Sequence, residues 1–528
     1  MQLFARRSPL TLILAASLFM VLLHNFTFFQ KVREIYPFTP GNTTFMTSMA
    51  LILLCLMVFL LSLTCFRYTL KPVLIATLIS SSITAYFIDK YGVVIDDTML
   101  QNMAATNTGE AADLLSLKLF LYMGILGLLP SVFIYKIPVD YKPFKTAVFA
   151  HFKTIFGALL LIVLTVFGFS KYYASFFREH KPVRSYSNPV FFVYSAGKYL
   201  NSFIKVAKDR PAVVLDSIIS DKDVGRELII FVVGETARAD RFSLNGYERE
   251  TNPRLSREDI FNFTDVTSCG TSTAVSVPCM FSFLPKDEYN NEEKYRPNLI
   301  TLLDHTNIAL LWRDNNSNQQ KVARSALYED YHDPELNTFC DGECQDEDML
   351  VGLDAFIAAK TEGDIFIVLH QMGNHGPAYY KRYPDRFEVF VPACKSTQLD
   401  QCSLDEINNA YDNAILYTDH FLGEVIDFLK PYSDRFQTAM VYCSDHGESL
   451  GEKGVYLHGL PYFMAPDTQT QVPLVMWFGP SFAFDRENLR AKLAKSYSHD
   501  NIFHTILGLM EVETSLYDRS LDILKSDP

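Results

Sequence analysis

The sequence has little positive charge to offer a polyanion. Its 528 residues carry 47 Lys and Arg against 60 Asp and Glu, a net charge of −13, and no basic stripe breaks that balance. A chain without clustered cations cannot neutralise a phosphate backbone, so nucleic acid is excluded as a partner. There is no internal repeat and no low-complexity tract. There is also no small-residue cleavage site after the first apolar run, although Arg6 and Arg7 precede it. That run is longer than a typical signal-peptide core and reads as a membrane anchor.

What the sequence has in abundance is apolar surface, unevenly spread. Hydrophobic residues make up 49% and aromatics 14%, with the excess before Phe169. Five long runs lie near Leu10–Phe29, Met46–Phe66, Val73–Phe87, Leu117–Ile134 and Val148–Phe169. Most reach the roughly twenty residues that cross a bilayer, the third being the shortest. Five spans put the termini on opposite sides. Arg6, Arg7, Arg67, Lys71, Lys136, Lys142 and Lys145 favour a cytoplasmic N-terminus, while Lys171, Arg178, Lys181 and Arg184 after the last span weaken that count.

Cysteine spacing decides the side. Of nine cysteines, Cys55 and Cys65 sit in an apolar run. Six others form the close pairs Cys269/Cys279, Cys340/Cys344 and Cys394/Cys402 in polar surroundings. Such pairs point to disulfides, and disulfides need an oxidising compartment. "CDGEC" would also suit two metal thiolates, but no second pair completes a zinc site. The C-terminal two-thirds is therefore expected outside the cytoplasm. The expected division is a five-helix transmembrane domain over 1–170, an interfacial linker over 171–225 and a catalytic domain over 226–528. In the linker, "KYYASFFREHKPVRSYSNPVFF" mixes aromatic, basic and proline residues as helices at the headgroup level do.

After Arg226 the pattern changes to short, continuously apolar segments: "LIIFVV", "IALLW", "IFIVL", "AMVYC" and "PLVMWF". Strands apolar on both faces imply a sheet covered on both sides, an α/β/α sandwich. "NAILYTDHFLGEVIDFLK" has the spacing of a covering helix. Polar residues gather just past the strands' carboxyl ends, where open α/β sheets bind ligands. These are Glu235, the Asp445–His446 pair with Glu448, His370 and His375, and farther along His458. Mixed oxygen and nitrogen donors with an open position suit catalytic zinc. Singly, each has a plainer role: Glu235 or Asp445 as a helix cap, His370 as a core histidine.

"TSCGTSTAVSVPCMFSF", from Thr267, holds seven hydroxyls, six of them ahead of the second of its two cysteines. A neutral hydroxyl is a poor nucleophile, and coordination to a cation makes its alkoxide accessible. A stapled loop limits wandering of the reacting oxygen, where about an ångström of misplacement can cost around a hundredfold in rate. If the stretch also opens a helix, its first N–H groups would hold a transferring phosphoryl group. Spacing alone leaves open which of Thr267, Ser268, Thr271, Ser272, Thr273 or Ser276 reacts.

Together, "VVGETARADRFSLNGYERETNP", "TSCGTSTAVSVPCMFS", "LHQMGNHGPAYYKRYP" and "SDHGESLGEKGVYLHG" resemble the lipid A phosphoethanolamine transferases. These include the mobile colistin-resistance proteins and belong to the alkaline phosphatase/sulfatase superfamily. The likeness covers nearly the whole chain. It implies a five-helix membrane domain joined to a sulfatase-type α/β/α sandwich in the bacterial inner membrane, with the catalytic domain periplasmic. It implies zinc held by Glu235, Asp445, His446 and the Thr273 hydroxyl, one ion bound tightly and a second joining during turnover. Thr273 is then the nucleophile that becomes phosphoethanolaminylated, with His375, His458 and Glu448 beside the transferring group.

Asn102, Thr106 and Glu110 fall at i, i+4 and i+8, one stripe of a helix. The stripe reads equally as the wet face of a connecting helix and, by resemblance, as contact with the ethanolamine head of phosphatidylethanolamine. The acceptor implied is lipid A, and the protein is expected to act as a monomer. One departure stands out. Where relatives carry a cysteine pair flanking a substrate-contacting lysine, this chain has Gln319 and Ala323, with Gln320 in the lysine's place and Lys321 one position late. Asn316 and Ser317 still match. Donor contact there is expected to be weaker or rearranged. The alternative activity is phosphoethanolamine or phosphoglycerol transfer to another envelope glycan. A sulfatase would need a Cys/Ser-x-Pro-x-Arg signature, and "SVPCM" has Met280 where arginine belongs.

Overall fold

The computed structural model describes residues 6–106, 108–204, 215–220, 225–289, 296–316, 320, 322–331, 333, 336–337, 340 and 344–525; the side chains of 105, 108–110 and 202–204 are outside that description. The chain divides into two compact units, one formed by 1–100 with 115–201, the other by 101–114 with 202–528.

The first unit is helical. Helices Pro40–Thr64, Leu70–Tyr91, Leu117–Lys136 and Phe144–Gly168 are each long and apolar enough to cross a membrane. The first apolar run is not one straight span. It forms Pro9–Leu23 and Phe26–Ile35, bent by 56°. The described residues thus hold four candidate spans, or five if the bent pair crosses as one. Asn25 sits at the break between the two helices. Its side-chain amide donates to Met20 O (3.0 Å) and to Asn188 O (2.7 Å), and Asn188 N–H returns a bond to Asn25 Oδ1 (2.9 Å). Met20 O also keeps its helical bond from His24 N–H (2.9 Å), so Asn25 adds a second donor to the last turn and ties it to Asn188. Ser170–Glu179 and Val190–Ile204 are further helices, in the stretch expected to lie at the headgroup level.

The second unit is built on a seven-stranded sheet. Its strands are β1 (Glu227–Gly234), β2 (Ile260–Phe263), β3 (Ala309–Asp314), β4 (Leu327–Asp330), β5 (Ile365–His370), β6 (Gln437–Ser444) and β7 (Leu474–Phe478). The order across the sheet is β2-β7-β6-β1-β5-β3-β4. β7 runs antiparallel to both its neighbours, while β6-β1-β5-β3-β4 is parallel throughout.

β1 lies at the centre and is buried along its whole length. Ile229, Phe231 and Val233 face one core with Phe261, Val277 and Phe503, while Leu228, Ile230 and Val232 face a second core with Tyr411, Ile415 and Leu422. Successive side chains of a strand point to opposite faces, so an apolar residue at every position demands a cover on each side. Helix Leu404–Leu429 covers one face, starting nine residues before the segment recognised in the sequence. Its start is fixed by a capping box: Ser403 Oγ accepts from Glu406 N–H (3.3 Å), and Glu406 Oε2 accepts from Ser403 N–H (2.7 Å). Helix Asp500–Leu509 packs in the other core.

Candidate active site

The parallel strands deliver their loops to one edge. Glu235 follows β1 directly, and Asp445 and His446 follow its neighbour β6. Asp445 N–H donates to Gly234 O (2.9 Å), and Thr236 N–H to Asp445 Oδ1 (3.2 Å), so the two strand ends are tied backbone to carboxylate. β5, on the other side of β1, leads into the loop to His375. Asn374 N–H there donates to Glu235 O (3.1 Å). Close approach is built in: a Cβ on Gly447 would meet Thr468 O at 2.2 Å.

Thr273 is the first residue of helix Thr273–Met280 and is buried. The loop leading to it is closed by the Cys269–Cys279 disulfide. Most of the other hydroxyls are spent on that loop. Ser268 Oγ donates to Gly270 O (2.6 Å), Thr271 Oγ1 to Leu460 O (2.6 Å) and Thr267 Oγ1 to Tyr497 O (3.3 Å), while Ser276 Oγ accepts from Gly270 N–H (3.0 Å). Ser272 occupies the N-cap position. Among the described residues, only the Thr273 hydroxyl of the six reaches the strand-end groups. It donates to Glu235 Oε2 (2.9 Å) and lies 3.4 Å from His446 Nε2.

The proton positions follow from chemistry. His446 Nδ1 lies 2.9 Å from Gly447 O, which can only accept, so Nδ1 carries the hydrogen. Burial holds the imidazole well below its usual pKa, in the neutral form. Nε2 then turns a lone pair toward Asp445 Oδ2 (3.4 Å) and Glu235 Oε1 (3.6 Å). Glu235, Asp445 and His446 are fully buried and offer ligand atoms within 4.8 Å of one another. Asp445 Oδ2 takes no hydrogen bond among the described residues. Burial pushes Asp445 above the usual carboxylate range, against the pull of His370 and of N–H groups on Thr236 and His446. Facing lone pairs with no hydrogen between them repel; a divalent cation resolves that repulsion. The donor set fits zinc.

A ring of buried groups holds these ligands. Asn316 Nδ2 donates to Glu235 Oε2 (2.7 Å) and Gln371 O (2.7 Å), so the structure places the amide of this expected substrate contact on Glu235. Asp346 accepts from Asn315 Nδ2 (2.8 Å), Gln371 Nε2 (3.2 Å) and the N–H groups of Met372 (2.9 Å) and Gly373 (3.1 Å). His370 is a core histidine on Asp314 Oδ2 (3.3 Å); burial pushes its pKa down, but Asp314 together with Asp445 and Asp346 leaves it raised. His499 Nδ1 accepts from Cys269 N–H (3.1 Å) and Nε2 donates to Ser444 O (2.9 Å), tying the disulfide loop to β6. Burial lowers His499 to about 4.

On the open side, the His446 and His458 rings lie 4.4 Å apart and the His375 and His458 rings 5.4 Å apart. His458 Nδ1 is 3.3 Å from Glu448 Oε1, and burial pushes Glu448 above its usual pKa. The expected single stripe is not formed: Asn102 lies in helix Asp97–Ala105, which ends before Thr106, and Glu110 lies in a separate helix, Thr108–Asp113. Thr106 Oγ1 bonds back to Asn102 O (2.9 Å). Ser317, Lys321 and the side chain of Glu110 lie outside the described residues. Cys340–Cys344 and Cys394–Cys402 are disulfide-bonded. Sequence reasoning missed His499 and Asp346, whose partners are mostly main-chain groups far away in sequence and leave no local motif.

A buried hydroxyl meeting carboxylates and an imidazole at the edge of this sheet defines a group-transfer enzyme of sulfatase type, and residues 227–512 match the sulfatase family model. Residues 53–203 match the model described as phosphoethanolamine transferase EptA/EptB. Over 522 residues the chain is 44% identical to phosphatidylethanolamine transferase Mcr-1 of Escherichia coli, covering 96% of this chain and 95% of that one. It is 35% identical to phosphoethanolamine transferase EptA of Escherichia coli strain K12, over 97% and 96% of the two chains. The solved structure of lipooligosaccharide phosphoethanolamine transferase A from Neisseria meningitidis superposes with a TM-score of 0.93 at 32% identity, covering 97% of this chain and 98% of that one. The chain belongs to the phosphoethanolamine transferase family.

Proposed function

We propose that the protein transfers phosphoethanolamine from phosphatidylethanolamine to a phosphate of lipid A, in two displacements through a phosphoethanolaminyl-Thr273 intermediate. The observation that carries this reading is the Thr273 hydroxyl donating to Glu235 beside Asp445 and His446. Glu235, Asp445, His446 and the Thr273 oxygen would hold a zinc ion, which supplies a lowered hydroxyl pKa and offsets charge on the phosphoryl oxygens.

The chain's own groups do the rest. Glu235 Oε2 accepts the Thr273 proton, and Oγ1 attacks the phosphorus. A P–O bond to threonine forms as the P–O bond to diacylglycerol breaks. His458, with Nδ1 3.3 Å from Glu448 Oε1, is the group that delivers a proton to the departing oxygen. His375 borders the same space. The first N–H groups of helix Thr273–Met280 face the transferring group and stabilise its charge. An acceptor phosphate hydroxyl then gives its proton back to His458 as its oxygen attacks the phosphorus; the P–O bond to Thr273 breaks, and Glu235 returns the proton to Oγ1. Asn102, Thr106 and Glu110 would contact the donor head, Glu110 pairing with its ammonium; Ser317 and Lys321 would border the donor.

We place the catalytic domain in the periplasm and the helical unit in the inner membrane, N-terminus cytoplasmic, with 171–225 as interfacial linker; three disulfides support an oxidising side. Adding an ammonium to lipid A offsets its negative charge and weakens the attraction of polymyxin and colistin.

The test is a mass spectrum of the Thr273 peptide after incubation with phosphatidylethanolamine and no acceptor. A phosphoethanolamine adduct that Thr273→Ala abolishes is expected. A glycerophosphate adduct would move the activity to the phosphoglycerol alternative, and an unmodified peptide from turning-over enzyme would remove the intermediate.

A further inference from the structure

Segment 101–114 falls between two candidate spans in the sequence yet belongs to the same compact unit as the catalytic residues. Two contacts hold it there. Helix Thr273–Met280 contains Pro278, which has no N–H to give the carbonyl four residues back. That carbonyl belongs to Ala274, the residue after the nucleophile. The missing donor is replaced by Gln101, whose buried Nε2 donates to Ala274 O at 2.8 Å. At the segment's other end, Asp113 accepts from Lys381 Nζ (2.7 Å) and lies 3.7 Å from the Arg382 guanidinium. The Arg382 side chain is 3% exposed, and its Nε donates to His375 O at 2.8 Å. One end of the segment is therefore fastened beside Thr273, the other to the arginine that holds the His375 backbone. Asn102 and Thr106 lie between the two fastenings.

We propose that Gln101 and Asp113 are positioning residues that set the register of segment 101–114 against Thr273 and His375, so that a zwitterionic phospholipid head held along the segment presents its phosphorus to the nucleophile. The inference rests on the donor-contact reading of Asn102, Thr106 and Glu110. Neither residue touches the reacting atoms. Each acts through a backbone group: Gln101 through the Ala274 carbonyl, Asp113 through Arg382 and the His375 carbonyl. A misplaced segment weakens capture of the donor while Thr273, held by its disulfide loop and Glu235, keeps its geometry.

The experiment uses the full-length protein in mixed micelles and follows diacylglycerol release against the mole fraction of phosphatidylethanolamine. Gln101→Ala and Asp113→Asn should each raise KM by about five- to tenfold and leave kcat within about twofold, the pattern of lost donor binding. Gln101→Glu keeps the shape but turns an acceptor toward a carbonyl, so it should behave no better than Gln101→Ala. Asp113→Glu should recover most of the affinity. Should Asp113→Asn fail to fold, Gln101→Ala, which removes a single hydrogen bond to a neutral carbonyl, carries the test.

A fall in kcat at constant KM would mean that these residues support the nucleophile helix itself, and would overturn the proposal. If Asn102→Ala and Glu110→Gln raise KM while Gln101→Ala and Asp113→Asn do not, the fastening role is wrong and the donor-contact reading survives. If none of the four moves KM, the donor-contact reading fails and takes the fastening role with it.

Discussion

The two units put the same residue type to opposite use. In helix Phe144–Gly168, Phe149, Phe152, Phe156 and Phe167 are each more than 60% exposed. In the sheet unit, Phe231, Phe261, Phe263 and Phe281 are fully buried. Phenylalanine on an outer face is stable only where the surroundings are themselves apolar, so the first unit is built for lipid and the second for water. Polar groups reverse in parallel. In the helical unit, buried Asn25 and Asn188 bond to each other at the break between two helices. In the sheet unit, buried Glu235, Asp445 and His446 converge at a strand edge and make a site.

The sharpest way to break this contrast is a matched pair of truncations. Phe231→Ala should destabilise the sheet unit by about 3–5 kcal/mol, through lost burial and the cavity left behind. Phe152→Ala on the outer face should change stability by less than about 0.5 kcal/mol. Thermal unfolding in detergent would read both, and equal losses would mean that the outer face is packed rather than solvated by lipid.

Acid probes the buried polar groups. His499 has a folded pKa of about 4, below its usual 6.5. A depressed histidine binds its proton more readily when unfolded. Its contribution is therefore complete above pH 6.5 and is lost as the pH falls toward 4, to about 3 kcal/mol. His499→Gln should flatten the stability profile between those limits, and an unchanged slope would assign it to other groups. The smaller effect is the disulfide. With Cys269 and Cys279 ten residues apart, replacing both by serine should cost roughly 2–3 kcal/mol, seen as a lower unfolding midpoint. Turnover should fall more than stability does, because the closed loop also places Thr273.

How much was legible in the sequence follows the same division. β1, β3, β5, β6 and β7 are continuously apolar and stood out, as did the polar residues at their ends. β2 and β4 did not: "IFNF" and "LYED" are four residues each, only partly buried, and sit at the sheet's two edges. The first apolar run read as one span because hydropathy is blind to the break at Asn25, which bonds to Asn188, 163 positions away. Among the six hydroxyls the choice was invisible for a related reason. Ser268, Thr271 and Ser276 are distinguished from Thr273 only by partners, some of which, like Leu460, are distant in the chain.

The Cys269–Cys279 bond also gives the protein a maturation step. A chain kept in a reducing milieu leaves the Thr273 loop unfastened, whatever the state of the sheet behind it. Closing that loop takes the oxidation of two thiols, a chemical step separate from packing of the sheet.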